Sequence, residues 1–257
     1  MVNIPETSPD MACRFWLHDI ARNGKMEDVK EFIVDKKNIE PKKYDSMEDF
    51  LNSSPNYEAE SNSNLSADEK SAIKEYSGYN FSWINSVARG FWDYERMGER
   101  TKEKENNIRE SIEKILEGIS KSPETTEDFV TFRGTSLRNF RGYNINSLSD
   151  LKKMEGQFKL EQGFTSTTLE EENDFASKET ESFLIDKPNI IMRYHIPAGT
   201  KDTIALSSED LTYSPNQTEV LIDNNSLFYI SNVNLDENNL AIVDAILIPR
   251  EIYDSRK

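Results

Sequence analysis

Apolar residues recur three and four apart through the first half of this chain, and every second position through the second half. "ACRFWLHDIA" and "MEDVKEFIV" fit the first spacing and predict two or three short helices over residues 11–51. The run "NSSPNYEAESNSN", Asn52 to Asn64, has little to bury and reads as a linker. Helical spacing resumes at Ser66, where "SADE" forms a capping box between Ser66 and Glu69. In "FSWINSVARGFWDY", Ile84, Val87, Ala88 and Phe91 share one stripe, while Phe81, Asn85 and Arg89 share its neighbour. "NNIRESIEKILEGI" predicts a further amphipathic helix, buried through Ile108, Ile112, Ile115 and Ile119. From Glu127 the period falls to two. "DFVTFRG", "GFTSTT", "NIIMRYHI", "TEVLI", "SLFYI" and "LAIVDAILI" are strand candidates rich in Val, Ile, Phe, Tyr and Thr. Helices first and strands afterwards predict an α+β fold, not a doubly wound sheet.

Composition narrows the class. A chain of 257 residues suits one domain, or one with a small appendage. Its net charge of -16 argues against sequence-blind binding to nucleic acid or anionic lipid. The single cysteine, Cys13, excludes an internal disulfide and a cysteine-based zinc site, and reads as a small apolar filler. Only His18 and His195 offer imidazoles, so His-rich metal chemistry is also excluded. No apolar run approaches the ~20 residues of a membrane span. No secretion signal is visible at the N-terminus. Neither of the two common nucleotide-binding glycine loops occurs.

Three strand segments hold candidate chemistry. In "TFRGTSL", Val130 and Phe132 face one side while Thr131 and Arg133 face the other; a guanidinium fork beside the bare backbone of Gly134 suits a phosphate. In "GFTSTT", Ser166 is placed to orient a nearby carboxylate. In "PNQTEVLID", Gln217 and Glu219 stand two apart, which on a strand puts them on one face. Two acids there would make an acid/base pair. One amide and one acid cannot, because the amide has no useful pKa. The amide can grip by donating and accepting at once, and the lone carboxylate suits a positive sugar-like transition state.

Taken in order, these segments resemble the mono-ADP-ribosyltransferase toxins of the Arg/Ser/Glu type: Arg133, then Ser166-Thr167-Thr168 in place of Ser-Thr-Ser, then Gln217-Thr218-Glu219 as Q-x-E. "AIKEYSGYNFSWINSVARG" is similar to the helix pair that precedes the arginine in clostridial-type toxins, where a tyrosine, an "IN" pair and an arginine line the NAD site; here these are Tyr76, Asn85 and Arg89. "IIMRYHIPAGT" resembles the strand after Ser-Thr-Ser, with Arg193 at a supporting position. The resemblance runs from about Ser66 to Ile252. It implies two packed, roughly perpendicular sheets with helices at one side and NAD as co-substrate in the cleft between them. Arg133 and Arg89 would hold the pyrophosphate, and Ser166 would position Glu219. Glu219 would bind the nicotinamide ribose 2′-hydroxyl and support the oxocarbenium ion. Gln217 would hold the acceptor, and the loop from Ser207 to Asn216 would meet the target.

Residues 1–64 would then be a short helical appendage and linker, and 65–257 the catalytic domain. Glutamine at the first position of Q-x-E goes with asparagine as acceptor in the Rho-inactivating exoenzymes, but some Q-x-E members modify arginine. Two features here depart from those exoenzymes: Ser214 stands where they usually carry an aromatic residue, with Tyr213 one earlier, and the chain is acidic where they tend to be basic; Thr168 at the third Ser-Thr-Ser position is a mild change that keeps the hydroxyl. Asparagine is favoured and arginine stays open, as do an NAD glycohydrolase and a catalytically dead adaptor of the same fold. The resemblance implies a monomeric toxin or effector delivered by a bacterium into the target-cell cytosol. Its substrate there would be a host protein such as a small GTPase or a cytoskeletal protein. The polar face of "NIIMRYHI", with Arg193 and His195, is expected to line the cleft, although His195 reads first as a hydrogen-bonded strand histidine.

Overall fold

The computed structural model describes residues 9–54, 64–92, 97–171, 189–236 and 239–253. Three helices come first: α1 (Pro9–Arg22), α2 (Met26–Lys37) and α3 (Met47–Ser53). The predicted linker falls largely outside the described residues. Next come α4 (Ala67–Glu75), a π-helical turn (Tyr76–Asn80) kinked at Gly78, α5 (Phe81–Ala88) and α6 (Lys102–Ser120). The strands are β1 (Phe129–Thr135), β2 (Phe158–Glu161), β3 (Thr165–Thr168), β4 (Ile190–Ile196), β5 (Thr203–Ala205), β6 (Glu219–Ile222), β7 (Ser226–Leu235) and β8 (Ala241–Ile248). A short α7 (Arg250–Tyr253) follows. The α+β expectation holds.

The strands hydrogen-bond in one order, β2-β7-β8-β4-β1-β3-β6-β5. Their layering matches the two packed sheets the resemblance implies, with a qualification. The join between β1 and β3 is a single pair, Phe132 opposite Thr168, whereas β1 and β4 pair over seven positions. The inner faces of the two halves share one core, so the sheet folds over on itself at this join. Val220 and Ile222 of β6 meet Met192 and Tyr194 of β4, Phe228 of β7 and Val243 of β8. The other face of the smaller half packs Phe164, Leu221 and Ile204 against Ile73, Tyr76, Ile84, Ile115 and Ile119 of the helical layer. Alternation along each strand forces this division, because neighbouring residues point to opposite faces.

Helices α1 and α2 cover the outer face of the larger half, whereas Met47 and Phe50 of α3 join the inner core. Ala12, Cys13, Ile20, Val29 and Ile33 pack with Leu160, Leu227, Ile248 and Tyr253. Cys13 is buried there, in the filler role its apolar neighbours imply. The capping box at α4 forms as the sequence dictates: the Ser66 hydroxyl accepts from the Glu69 backbone N–H, and Glu69 accepts from that of Ser66.

Candidate active site

Arg133 lies on the inner face of β1, two residues before the strand ends. Its Nη1 donates across the join to the carbonyl of Ser166 on β3, at 3.3 Å. Thr168 stands opposite Glu219 in the β3–β6 ladder, and Ser166 lies two residues back on the same face. Glu219 is buried (3 % exposed) and hydrogen-bonded by the Ser166 hydroxyl. Burial pushes its pKa up to about 7, against the opposing pull of the Ser166 hydrogen bond and the nearby Arg133 charge.

The helical layer supplies the floor. Tyr76, fully buried, donates from its hydroxyl to the carbonyl of Phe164 at 3.3 Å and lies within hydrogen-bonding reach of Ser166. Asn85 donates to the Tyr76 hydroxyl at 3.0 Å, and its Oδ1 accepts from the Phe164 N–H at 2.8 Å. The segment before Ser166 is thus fixed to two helical side chains. Gly163 permits this approach, because a Cβ there would lie 2.8 Å from Asn85 Oδ1 and 2.9 Å from Arg89 Cζ.

Beside this cluster opens a cleft of about 370 Å³, lined by four arginines, Arg89, Arg133, Arg138 and Arg141, together with Lys159, Glu161, Phe91 and Tyr143. Arg89 gives two hydrogen bonds to Glu161 Oε1, from Nε at 3.1 Å and Nη2 at 2.9 Å. Lys159 donates to Glu161 Oε2 at 3.0 Å. Burial alone would raise the Glu161 carboxyl; Lys159 and Arg89 outweigh it and hold the pKa at about 2. The excess of cationic side chains fits a pyrophosphate, and the buried acid lies across the join from it.

The structure therefore brings together Arg133, Ser166, Glu219, Tyr76, Asn85 and Arg89. Two expectations change. Arg193 pairs in register with Phe132, not Arg133, so it points to the opposite face of the half-sheet. There it makes a two-pronged ion pair with Asp244, at 2.5 and 2.8 Å. His195 shares that outer face and bonds Asp128 at 2.5 Å. The polar face of β4 thus lines a separate hollow of about 790 Å³, with Lys36 and Asn232 among its walls, and not the arginine cleft. Gln217 is the second change. It closes a 3₁₀ turn, Pro215–Gln217, and Thr218 follows in the left-handed region at φ 48°. The strand begins only at Glu219, so the shared-face argument for Gln217 and Glu219 does not apply. Gln217 lies half-exposed two residues ahead of the buried acid.

Sequence reading missed Lys159, Glu161, Arg138 and Arg141. The first two sit on β2, which was not predicted: its inward positions are charged, so the alternation reads as a solvated segment. The arginines occupy a 3₁₀ turn, Leu137–Phe140, and the residue after it, where no periodic signal exists.

Residues 54–249 match the ADP-ribosyltransferase exoenzyme family. The chain belongs to that family. It is an NAD-dependent mono-ADP-ribosyltransferase, with NAD as co-substrate. No curated protein matches the sequence. Among solved structures, the Clostridium limosum C3 exoenzyme superposes with a TM-score of 0.60 at 22% identity, over 82% of this chain and 98% of that one. The S. aureus exoenzyme C3stau2, solved with NAD, gives 0.60 at 23% identity, over 82% of this chain and 100% of its own. The BECa toxin of a C. perfringens binary enterotoxin, solved with NADH, gives 0.57 at 25% identity, over 76% of this chain and 46% of that one. The transferase adds three described helices to the N-terminal side of the matched span. Among its described residues no helix is long and apolar enough to cross a membrane, and no cluster of three or more His, Cys, Asp or Glu could hold a metal.

Proposed function

We propose that this transferase moves ADP-ribose from NAD to an asparagine side chain of a host protein, after delivery by a bacterium into the target cell. The observation that carries the reading is the joining of Arg133, Ser166 and Glu219 across β1, β3 and β6, beside a cleft lined by Arg89 and Arg133. In this reading Arg133 and Arg89 bind the pyrophosphate of NAD. The bond between the nicotinamide nitrogen and the ribose breaks, and its electron pair leaves with neutral nicotinamide. Glu219, as a carboxylate oriented by Ser166, accepts a hydrogen bond from the ribose 2′-hydroxyl and stabilises the positive charge developing on the sugar. Tyr76 and Asn85 keep the Ser166 strand in place. The acceptor amide nitrogen forms the new bond and loses a proton. Glutamine at position 217 supports asparagine, because an amide facing an amide pairs donor with acceptor in both directions.

The loop expected to meet the target, Ser207 to Asn216, presents Tyr213 to solvent at 58 % exposure. The Tyr213 ring rests on Gly78, where a Cβ would come within 2.8 Å, and Lys74 Nζ lies 5.1 Å from the ring centroid. These contacts hold an exposed aromatic at the head of the Q-x-E turn, in a place suited to a protein target.

Incubating the chain with labelled NAD and a eukaryotic cell lysate tests this. We expect one labelled protein, with mass spectrometry locating ADP-ribose on asparagine. Gln217→Ala should abolish labelling and leave slow release of nicotinamide. Labelling on arginine, or equal labelling by Gln217→Ala, rejects the acceptor assignment; free ADP-ribose with no labelled protein makes the chain a glycohydrolase.

A further inference from the structure

We infer that Glu161 is a positioning residue for the dinucleotide's pyrophosphate and Lys159 a further cation of that site; this rests on the NAD reading of the cleft. Both residues are more than nine-tenths buried, yet both line the arginine cleft. Their register explains how. Lys159 pairs with Phe228 and Glu161 with Ser226, and Phe228 belongs to the inner core, so the two charges share the inner face of the edge strand β2. The intervening Leu160 points outward, into the packing of the N-terminal helices.

A carboxylate inside a site for an anion looks self-defeating. Its contacts show what it does. One oxygen takes both Arg89 bonds and the backbone N–H of Gly163 at 3.1 Å, and the other takes Lys159. The group costs one unit of positive charge. In return it holds two long cationic side chains at fixed positions and prevents their mutual repulsion in a buried place. Arg89 spends two of its five N–H groups on Glu161, and three remain for a ligand. Lys159 gives one of its three to Glu161 and lies 5.7 Å from the Phe140 ring centroid. Gly163 ties this arrangement to the strand that bears Ser166, so the placement of the pyrophosphate and of the reacting ribose are set by one short segment.

The test is calorimetric titration of the full chain with ADP-ribose, which has the pyrophosphate and lacks nicotinamide, alongside NAD hydrolysis kinetics. Glu161→Gln keeps the shape and an acceptor for Arg89, but loses the charge. It should weaken ADP-ribose binding and raise KM for NAD by roughly tenfold, with kcat at saturating NAD within about threefold of the parent. In an Arg89→Ala, Lys159→Met background, where both cations that Glu161 holds are gone, the same change should have little further effect on ADP-ribose affinity. Lys159→Met, which leaves Glu161 paired with Arg89, should fold and weaken ADP-ribose binding by a similar factor. If the parent binds ADP-ribose and folded Glu161→Gln binds it equally well, this inference is wrong while the NAD reading stands. Should Glu161→Gln not fold, parent-like binding by Lys159→Met overturns the inference in its place. If the parent binds neither NAD nor ADP-ribose, both fall.

Discussion

In the proposed mechanism Glu219 must be charged to steady a cation, yet burial lifts its pKa to about 7. Two predictions follow from that conflict. First, kcat/KM for NAD hydrolysis should fall about tenfold per pH unit below 7 and level off above it. A profile flat down to pH 5 would show that ionised Glu219 does not limit the reaction. Second, the sign of the linkage is set by a folded pKa above the ordinary value of 4.5. The folded state is favoured while the carboxyl is protonated, and this advantage disappears as pH rises through about 7. Glu219→Gln should therefore be more stable than the parent at pH 8, by up to about 3 kcal/mol, and nearly equal to it at pH 4. Urea unfolding at the two pH values reads both. Thr168 offers a third residue-scale prediction. Its hydroxyl bonds that of Thr218 at 2.7 Å, and both side chains are buried. This contact supports the left-handed residue that separates Gln217 from the strand. Thr168→Val should cost about 1–3 kcal/mol of stability by leaving the Thr218 hydroxyl unpaired.

At the level of elements, long amphipathic helices and regular strands were legible, because burial on one face leaves a period in the sequence. Ile115 and Ile119 of α6 are buried where the stripe placed them, with Ile108 and Ile112 packed at its margin. The Arg133, Ser166 and Glu219 cluster was legible through motif order. What stayed hidden lacked a period or ran against one. β2 turns Lys159 and Glu161 inward and Phe158 and Leu160 outward, which inverts the usual pattern. The three-residue β5 was too short to show one. The Q-x-E segment reads as a strand from Gln217 until Pro215 and the left-handed Thr218 are considered together. Arg193 was misplaced because family order gives its position along β4 but not its face. The close contact of α6 with α4 gives the element-scale prediction. A Cβ at Gly118 would lie 2.8 Å from Ile73 Cδ1, and Tyr76 follows directly on α4. Gly118→Val should destabilise the fold by about 1–3 kcal/mol through overpacking. It should also weaken NAD binding, because the same helix pair fixes the floor of the site; calorimetry on the folded fraction would separate the two effects.

For the whole molecule, the family match begins at residue 54, but the packed structure begins earlier. Leu160, Leu227 and Ile248 are covered by α1 and α2, and each such side chain contributes about 1.5–3 kcal/mol on burial. Residues 54–257 alone should melt roughly 10 °C lower than the full chain and bind a hydrophobic dye, as scanning calorimetry and fluorescence would show. An unchanged midpoint would mean that the N-terminal helices serve recognition rather than folding. The narrow join at Phe132 and Thr168 has a different consequence. Arg133 and Arg89 lie on one bank of it or above it, and Ser166 and Glu219 on the other, so a dinucleotide that touches both banks acts as a staple across the thinnest part of the sheet. Amides of residues 132 and 168 should then exchange with deuterium faster than those in the middle of the β1–β4 ladder in the resting enzyme and slow down once the substrate is seated, which makes the sheet itself a reporter of occupancy.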